Sequence, residues 1–188
     1  MLHIVTPVSR PDNLSRIYRS IRQHLVHTMY AWWCIFDPRQ PVVPLPDSVR
    51  GVVFWGPGPE RIGAVGYPQR NWALDNIGTG WIYFLDDDNL LHPSFERAWN
   101  ESSLLYPDAE WFIFRQVRGN GDVYLKATCP PAVGLIDVGQ VIIKREVFAS
   151  HRFEEDRYDA DGRLFQCLAV HTPPRCIDVE ATYYNALR

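Results

Sequence analysis

The 188-residue sequence predicts an α/β fold with a mainly parallel sheet, on three observations. Short apolar runs alternate with segments of helical spacing through the first half, the pattern of strand–helix–strand units. Trp81–Leu85 is an unbroken apolar run, as expected for a central strand buried on both faces. The pattern then shifts to hairpin signals from Trp111 onward, which adds a mixed β region to an α/β start.

The elements follow in order. Leu2–Val8 reads as the first strand, ended by Ser9-Arg10-Pro11. Leu14, Ile17, Ile21 and Leu25 share one helical face, and Pro11 with Asp12 suits the first turn. Ala31–Phe36 is a second strand, and a proline-rich connection leads to a third at Gly51–Trp55. Gly56–Gly66 reads as a loop, and a short helix follows over Pro68–Asn76, stopped by Gly78. After Trp81–Leu85 and three aspartates, His92-Pro93-Ser94 opens a helix with Phe95, Ala98 and Trp99 on one side. Trp111–Val117, the turn Gly119-Asn120-Gly121 and Val123–Ala127 form a hairpin. Val138–Ile143 is a further strand and Gly162–Ala169 a late helix.

Length and composition fit one domain, residues 1–188, with 46% hydrophobic and 22% charged residues. The formal net charge of −3 gives no reason to expect a nucleic-acid or anionic-membrane partner. The N-terminus lacks a secretory signal pattern, and no apolar stretch approaches the roughly 20 residues of a spanning helix. Cys34, Cys129, Cys167 and Cys176 are scattered without a CxxC pair. That spacing argues against a zinc site and for reduced thiols in a cytoplasmic protein.

The unbroken apolar run Trp81–Leu85 ends abruptly at Asp86-Asp87-Asp88. Ligands of open α/β sheets bind at the carboxyl ends of strands. Adjacent carboxylates repel one another, so a positive partner is expected, and oxygen ligands suit Mg²⁺ or Mn²⁺ shared with substrate phosphates. Along an extended chain, Asp86 and Asp88 would face one side and Asp87 the other. The bland alternative is a solvated acidic turn or a helix cap. A phosphatase of the haloacid dehalogenase type also places DxD after a strand. It wants Thr or Val where this chain has Leu90, and usually uses the first strand.

Several stretches then resemble one family of enzymes. Ile4-Val5-Thr6-Pro7-Val8 with Arg10-Pro11 resembles the opening strand and nucleotide loop of GT-A glycosyltransferases. Gln69-Arg70-Asn71-Trp72-Ala73-Leu74 is similar to their helix before the DxD strand. Tyr83-Phe84-Leu85-Asp86-Asp87-Asp88-Asn89 resembles a family 43 stretch. Ile136–Phe148 and Tyr158–Phe165 resemble family 2 motifs, with Ala160-Asp161 where the usual Glu-Asp pair stands. The resemblance implies a GT-A, Rossmann-like α/β/α sandwich, with residues 1–90 as the nucleotide-binding half and 91–188 as the acceptor-side half.

It also implies roles. Thr6, Pro7, Arg10 and Asp37 would line the nucleobase pocket, Asp37 being equally readable as a turn residue before Pro38. Arg70 would meet the diphosphate, and Asn71 would hold a loop. Asp86 or Asp87 would bind ribose, and Asp88 the metal, with His171 as a further ligand near the chain end. Asp161 is the candidate base, with Glu155, Asp156 and Asp159 as competitors.

The implied function is Mn²⁺- or Mg²⁺-dependent transfer of a sugar, with inversion, from a nucleotide-diphosphate donor to an acceptor hydroxyl. A UDP-sugar is the leading expectation for the donor. A non-catalytic nucleotide-sugar-binding module is the alternative. A sugar nucleotidyltransferase is disfavoured, because residues 6–13 contain no glycine for a phosphate loop.

Overall fold

The structure is a computed structural model that describes residues 1–44, 52–59 and 66–188, the stretch 52–57 by its backbone alone. The expected loop over 56–66 therefore lies mostly outside the described residues, as do Gly51 and Pro46.

Leu2–Val8 (β1), Tyr30–Phe36 (β2) and Val52–Pro57 (β3) pair in parallel, and Trp81–Phe84 (β4) joins β1 on its other side, also in parallel. The later strands are Leu90–Leu91 (β5), Trp111–Val117 (β6), Val123–Leu125 (β7), Val141–Lys144 (β8) and Arg175–Tyr183 (β9). One sheet runs β3-β2-β1-β4-β8-β6-β9-β5, with β7 paired to β6. β8 is antiparallel to β4 and to β6, whereas β9 lies parallel to β6. The sheet is thus parallel on one side of β4 and mixed on the other.

Strand alternation sorts the core onto two faces. Trp32, Cys34 and Phe36 of β2, Tyr83 of β4, and Phe112 and Phe114 of β6 share one face. There they pack with Leu14–His24 (α1) and Phe95–Leu105 (α3), whose buried residues are those the helical spacing predicts. Trp33, Phe84, Trp111 and Ile143 point the other way, toward Tyr67–Asn76 (α2) and Ala160–His171 (α5). A one-residue slip in β4 would move Tyr83 and Phe84 to the wrong faces, so register is fixed wherever both faces are buried.

Four differences from the sequence reading have local causes. The expected strand Val138–Ile143 begins as a 3-10 turn, Val138–Gln140, because Asp137 and Gln140 form a reciprocal capping box. β9 was not expected, although Ile177, Val179, Ala181 and Tyr183 alternate with polar residues along it. The short helix Arg145–Phe148 (α4) and the two-residue β5 were likewise below what periodicity can signal. The expectation of four reduced thiols is also corrected. Cys129 and Cys176 form a disulfide with Cα atoms 6.0 Å apart, joining residues 47 apart in sequence. Cys34 is a buried free thiol and Cys167 an exposed one. The cysteine-based ground for a cytoplasmic setting therefore falls. Among the described residues, no helix is long and apolar enough to cross a membrane.

One contact fixes the connection between α1 and β2. The Glu96 carboxylate, in the first turn of α3, accepts from the backbone N–H groups of Val26, His27 and Thr28 at 3.0, 2.7 and 2.6 Å. Burial raises its pKa, but these donors outweigh burial and hold it below the usual carboxylate range. A depressed folded-state pKa contributes stability above the unfolded value and loses it as pH falls through the folded one. Glu96→Ala should cost about 1–3 kcal/mol in urea denaturation at pH 7, with the gap to wild type closing below pH 4.

Candidate functional site

β4 delivers the acidic stretch, but not as an extended strand. Asn89 N–H bonds to the Asp86 carbonyl at 3.0 Å, so Asp86–Asn89 is a tight turn with Asp87 and Asp88 at its centre. The alternation expected for Asp86, Asp87 and Asp88 is corrected by that turn, and all three line one cavity.

Each carboxylate has a guanidinium from a different part of the chain. Arg70 of α2, only 2% exposed, pairs with Asp86 and lies over the rings of Tyr67, Phe84 and Phe153 at 5.2–6.0 Å. Asp87 accepts from the Ser9 N–H, the Ser9 hydroxyl, the Arg10 N–H and Arg10 Nη1 at 2.5–2.8 Å. Its carbonyl accepts from Asn13 Nδ2. Asp88 Oδ2 accepts from Arg188 Nε at 2.6 Å and sits 3.2 Å from Arg10 Nη1. Burial, with Asp137 and Asp88 nearby, pushes Asp86 up to about 6 against the pull of Arg70.

Two cavities meet at this turn. One, of ≈ 250 Å³, is walled by Pro7, Ser9, Arg10, Asp37, Gln69 and the three aspartates, among others. The second, of ≈ 210 Å³, is walled by Tyr67, Arg70, Val133, Ile136 and Asp161. Asp86, Asp137, Tyr158 and Tyr184 belong to both and mark the junction. Gly66 makes the first cavity's wall possible. Its φ is +77°, and a Cβ there would come within 2.6 Å of Pro7 Cβ.

The expected site residues separate on this geometry. Pro7, Arg10, Asp37, Asp86, Asp87 and Asp88 line the first cavity, and Asp161 the second. Thr6 does not line it. Its hydroxyl is wholly buried and accepts from the Trp32 indole at 3.0 Å, a core role. Arg70 lines the second cavity, and its guanidinium pairs with Asp86. Asp37 holds Arg39 through both carboxylate oxygens, at 2.8 and 2.7 Å. Asn71 does hold a loop, exchanging bonds of 2.9 Å with the backbone of Phe153. His171 is exposed at the C-terminal end of α5. Ten residues from Asp161, it lies roughly 15 Å along the helix from that carboxylate. The late residue that reaches Asp88 is Arg188, and an arginine cannot ligate a metal.

Three participants escaped the residue-by-residue reading. Asp137 is held by the Gly139 N–H at 2.8 Å and Gln116 Nε2 at 3.3 Å, and burial raises its pKa. It lay within a family-like stretch but carried no predicted role. Gln69 is 3% exposed, lines the first cavity, and its Oε1 has no hydrogen-bond partner among the described residues. An orphaned buried acceptor in a cavity wall is what a ligand N–H would satisfy. Arg188 gave no sequence signal, since only the fold brings it to residue 88.

The donor set suits a hard divalent cation. Five aspartates and three arginines line the first cavity, so an entering diphosphate would add to an existing negative excess unless a cation came with it. Among the described residues no three His, Cys, Asp or Glu side chains gather as a metal site. Mg²⁺-like ions need only one or two protein carboxylates when substrate phosphates and water complete the shell. Asp88 fits that arrangement.

No protein-family model matches the sequence, and no curated protein does. Among solved structures, S. aureus TarS 1-349 in complex with UDP-GlcNAc superposes with a TM-score of 0.69 at 12% identity, over 97% of this chain and 58% of that one. The mannosyltransferase PcManGT from Pyrobaculum calidifontis, in complex with GDP-Man and Mn²⁺, gives 0.65 at 14% identity, over 96% of this chain and 55% of that one. The chain has the mixed α/β GT-A fold, and it spans a little over half the length of these proteins.

The buried Arg70–Asp86 pair should be expensive to break, because Asp86 would lose its partner and its already raised pKa would be driven further up, forcing the carboxyl to take up a proton. Arg70→Met is expected to lower unfolding free energy by about 3–5 kcal/mol in urea titrations. Arg39→Met, at an exposed pair, should stay within about 1 kcal/mol of wild type.

Proposed function

We propose that the chain transfers a sugar from a nucleoside-diphosphate donor to an acceptor hydroxyl, with inversion. The observation that carries this reading is the meeting of two cavities at Asp86 and Asp137, one floored by the acidic turn and the other holding Asp161. The structural neighbours bound to UDP-GlcNAc and GDP-Man support a nucleotide sugar as the donor class. UDP is the first base to test.

In this reading residues 1–188 form one catalytic domain, and the donor lies in the first cavity. Pro7 and Gln69 flank the base, while Asp86 and Asp137 face the sugar at the junction. A Mn²⁺ or Mg²⁺ held by Asp88 and shared with the donor phosphates would neutralise charge on the leaving diphosphate. The acceptor enters the second cavity with its hydroxyl toward Asp161. That carboxylate takes the hydroxyl proton as the oxygen attacks the anomeric carbon. The bond to the diphosphate breaks on the opposite face, and a single displacement of this kind inverts the centre.

Burial raises the Asp161 pKa above the usual carboxylate value, although the Gly162 N–H at 2.7 Å and Arg70 favour its charged form. A raised pKa makes a stronger base, which must still be ionised to act. Transfer should therefore rise as pH passes through the raised Asp161 pKa and then level off. A binding module of the same fold would bind donor and release no diphosphate.

Asp161→Asn separates these outcomes. It should lower Mn²⁺-dependent release of nucleoside diphosphate by at least about 100-fold while donor binding persists. The sign of its stability effect follows from the same shift. A folded-state pKa raised above the unfolded value makes ionisation unfavourable to the fold, so stability falls as pH rises through that range. The neutral amide removes this term, so at pH 7 the melting temperature should hold or rise by about 2 °C. Unchanged turnover in Asp161→Asn would refute its assignment as the base.

A further inference from the structure

Three guanidinium groups neutralise the acidic turn, and they are not equally committed. Arg70 is buried under three aromatic rings. Arg10 is fixed by its bond to Asp87 at 2.5 Å and by its own N–H on the same carboxylate. Arg188 differs. Its side chain is 55% exposed, and its one ion pair among the described residues is with Asp88. The backbone around it is anchored independently of that pair. Leu187 N–H bonds to the Asp88 carbonyl at 3.0 Å, and Asn185 N–H to Asn89 Oδ1 at 2.8 Å. The segment after β9 is therefore clasped to the acidic turn by its backbone, and the Arg188 guanidinium is the most exposed of the three.

Arg188 occupies the carboxylate that the proposed cation needs. Both guanidinium contacts fall on Asp88 Oδ2, so a divalent ion bound there would meet two positive charges unless Arg188 withdraws. An arginine remains charged at any working pH and has no lone pair to offer a metal. Cation and Arg188 therefore compete for Asp88 instead of sharing it. Arg188 also lines the first cavity, so a diphosphate placed beside Asp88 lies within its sweep. The planar guanidinium pairs with phosphate oxygens as readily as with a carboxylate.

Resting on the donor reading above, we propose that Arg188 is a diphosphate-binding residue. It is parked on Asp88 in the free protein and passes to the donor's phosphates when a divalent cation takes the carboxylate. The exchange makes cation and diphosphate mutually dependent. The cation alone must displace a guanidinium that has nowhere better to go. The diphosphate alone meets an excess of carboxylates. Together each removes the obstacle to the other, and such coupling is reciprocal by linkage.

The test uses the full chain with Mn²⁺ and UDP, GDP or dTDP as probes. Free Mn²⁺ is followed by its paramagnetic resonance signal and nucleotide binding by calorimetry. Wild type should bind Mn²⁺ weakly alone and about tenfold more tightly with the preferred diphosphate, a typical coupling. Arg188→Ala should bind Mn²⁺ alone about tenfold more tightly than wild type. It should also lose about tenfold in diphosphate affinity with Mn²⁺ present, the scale of one charge-assisted bond. Arg188→Lys, retaining charge without the fork, should fall between the two. If Arg188→Ala matches wild type in both affinities, or weakens Mn²⁺ binding alone, the exchange is wrong while the donor site survives. If wild type binds no nucleoside diphosphate with Mn²⁺, the donor reading fails and takes this proposal with it.

Discussion

The structure depends on carrying three consecutive carboxylates at the end of a buried strand. Two like charges about 4 Å apart repel strongly once water is thin, so such a cluster survives only with matched cations. Here three guanidinium groups meet three carboxylates, with Arg10 also reaching Asp88. Arg70 from α2 takes Asp86, Arg10 from the loop after β1 takes Asp87, and Arg188 after β9 takes Asp88. Elements far apart in sequence are therefore bound to one four-residue turn. The same pairings shape the cavity, since the backbone that supplies each guanidinium also builds a wall.

The three aspartates differ in what they have left to offer. Asp87 is saturated by four donors from Ser9 and Arg10, so it locks the first loop against the turn and has little capacity for a ligand. Asp86 is poised between Arg70 and two further carboxylates, and its position at the junction suits contact with a substrate hydroxyl. Asp88 is held by the most exposed of the three cations. On the proposed reading, three identical residues thus divide into a latch, a substrate-facing group and an exchangeable ligand. The division follows from the partners, not from the residues themselves.

Much of the fold was readable because its signals are local. The helical spacing of Leu14, Ile17 and Ile21 and the apolar run ending at Phe84 each report burial directly, and the structure buries them as read. β9 was missed because its alternation is half polar and sits on the mixed side of the sheet, where pairing decides more than hydrophobicity. The site was readable only in part, for a related reason. The motif order points to Asp86–Asp88 and Asp161, but partners 16 to 100 residues away decide what each can do. Thr6 shows the limit: a polar residue in a nucleotide-loop motif turns inward because Trp32, packed beside it, needs an acceptor. His171 shows it again, since chain position alone cannot say which end of α5 faces the acidic turn.

The two sides of the sheet carry different constraints, and this bears on how such a site changes. On the parallel side, β1, β2 and β4 are buried on both faces, and their ends hold Pro7, Asp37 and the acidic turn in fixed relation. On the mixed side, the second cavity draws on β7, the segment from Val133 to Asp137 and the residues around Tyr158, mostly outside regular elements. The Cys129–Cys176 disulfide and the Tyr67 hydroxyl bond to the Tyr158 carbonyl at 2.9 Å pin that half. Substitutions at Val133, Gly134 or Ile136 would alter the second cavity at residues that do not line the first. On the proposed reading, a charged floor beside a loop-built wall would let one donor chemistry serve different acceptors. In this fold, the boundary between them runs through Asp86 and Asp137.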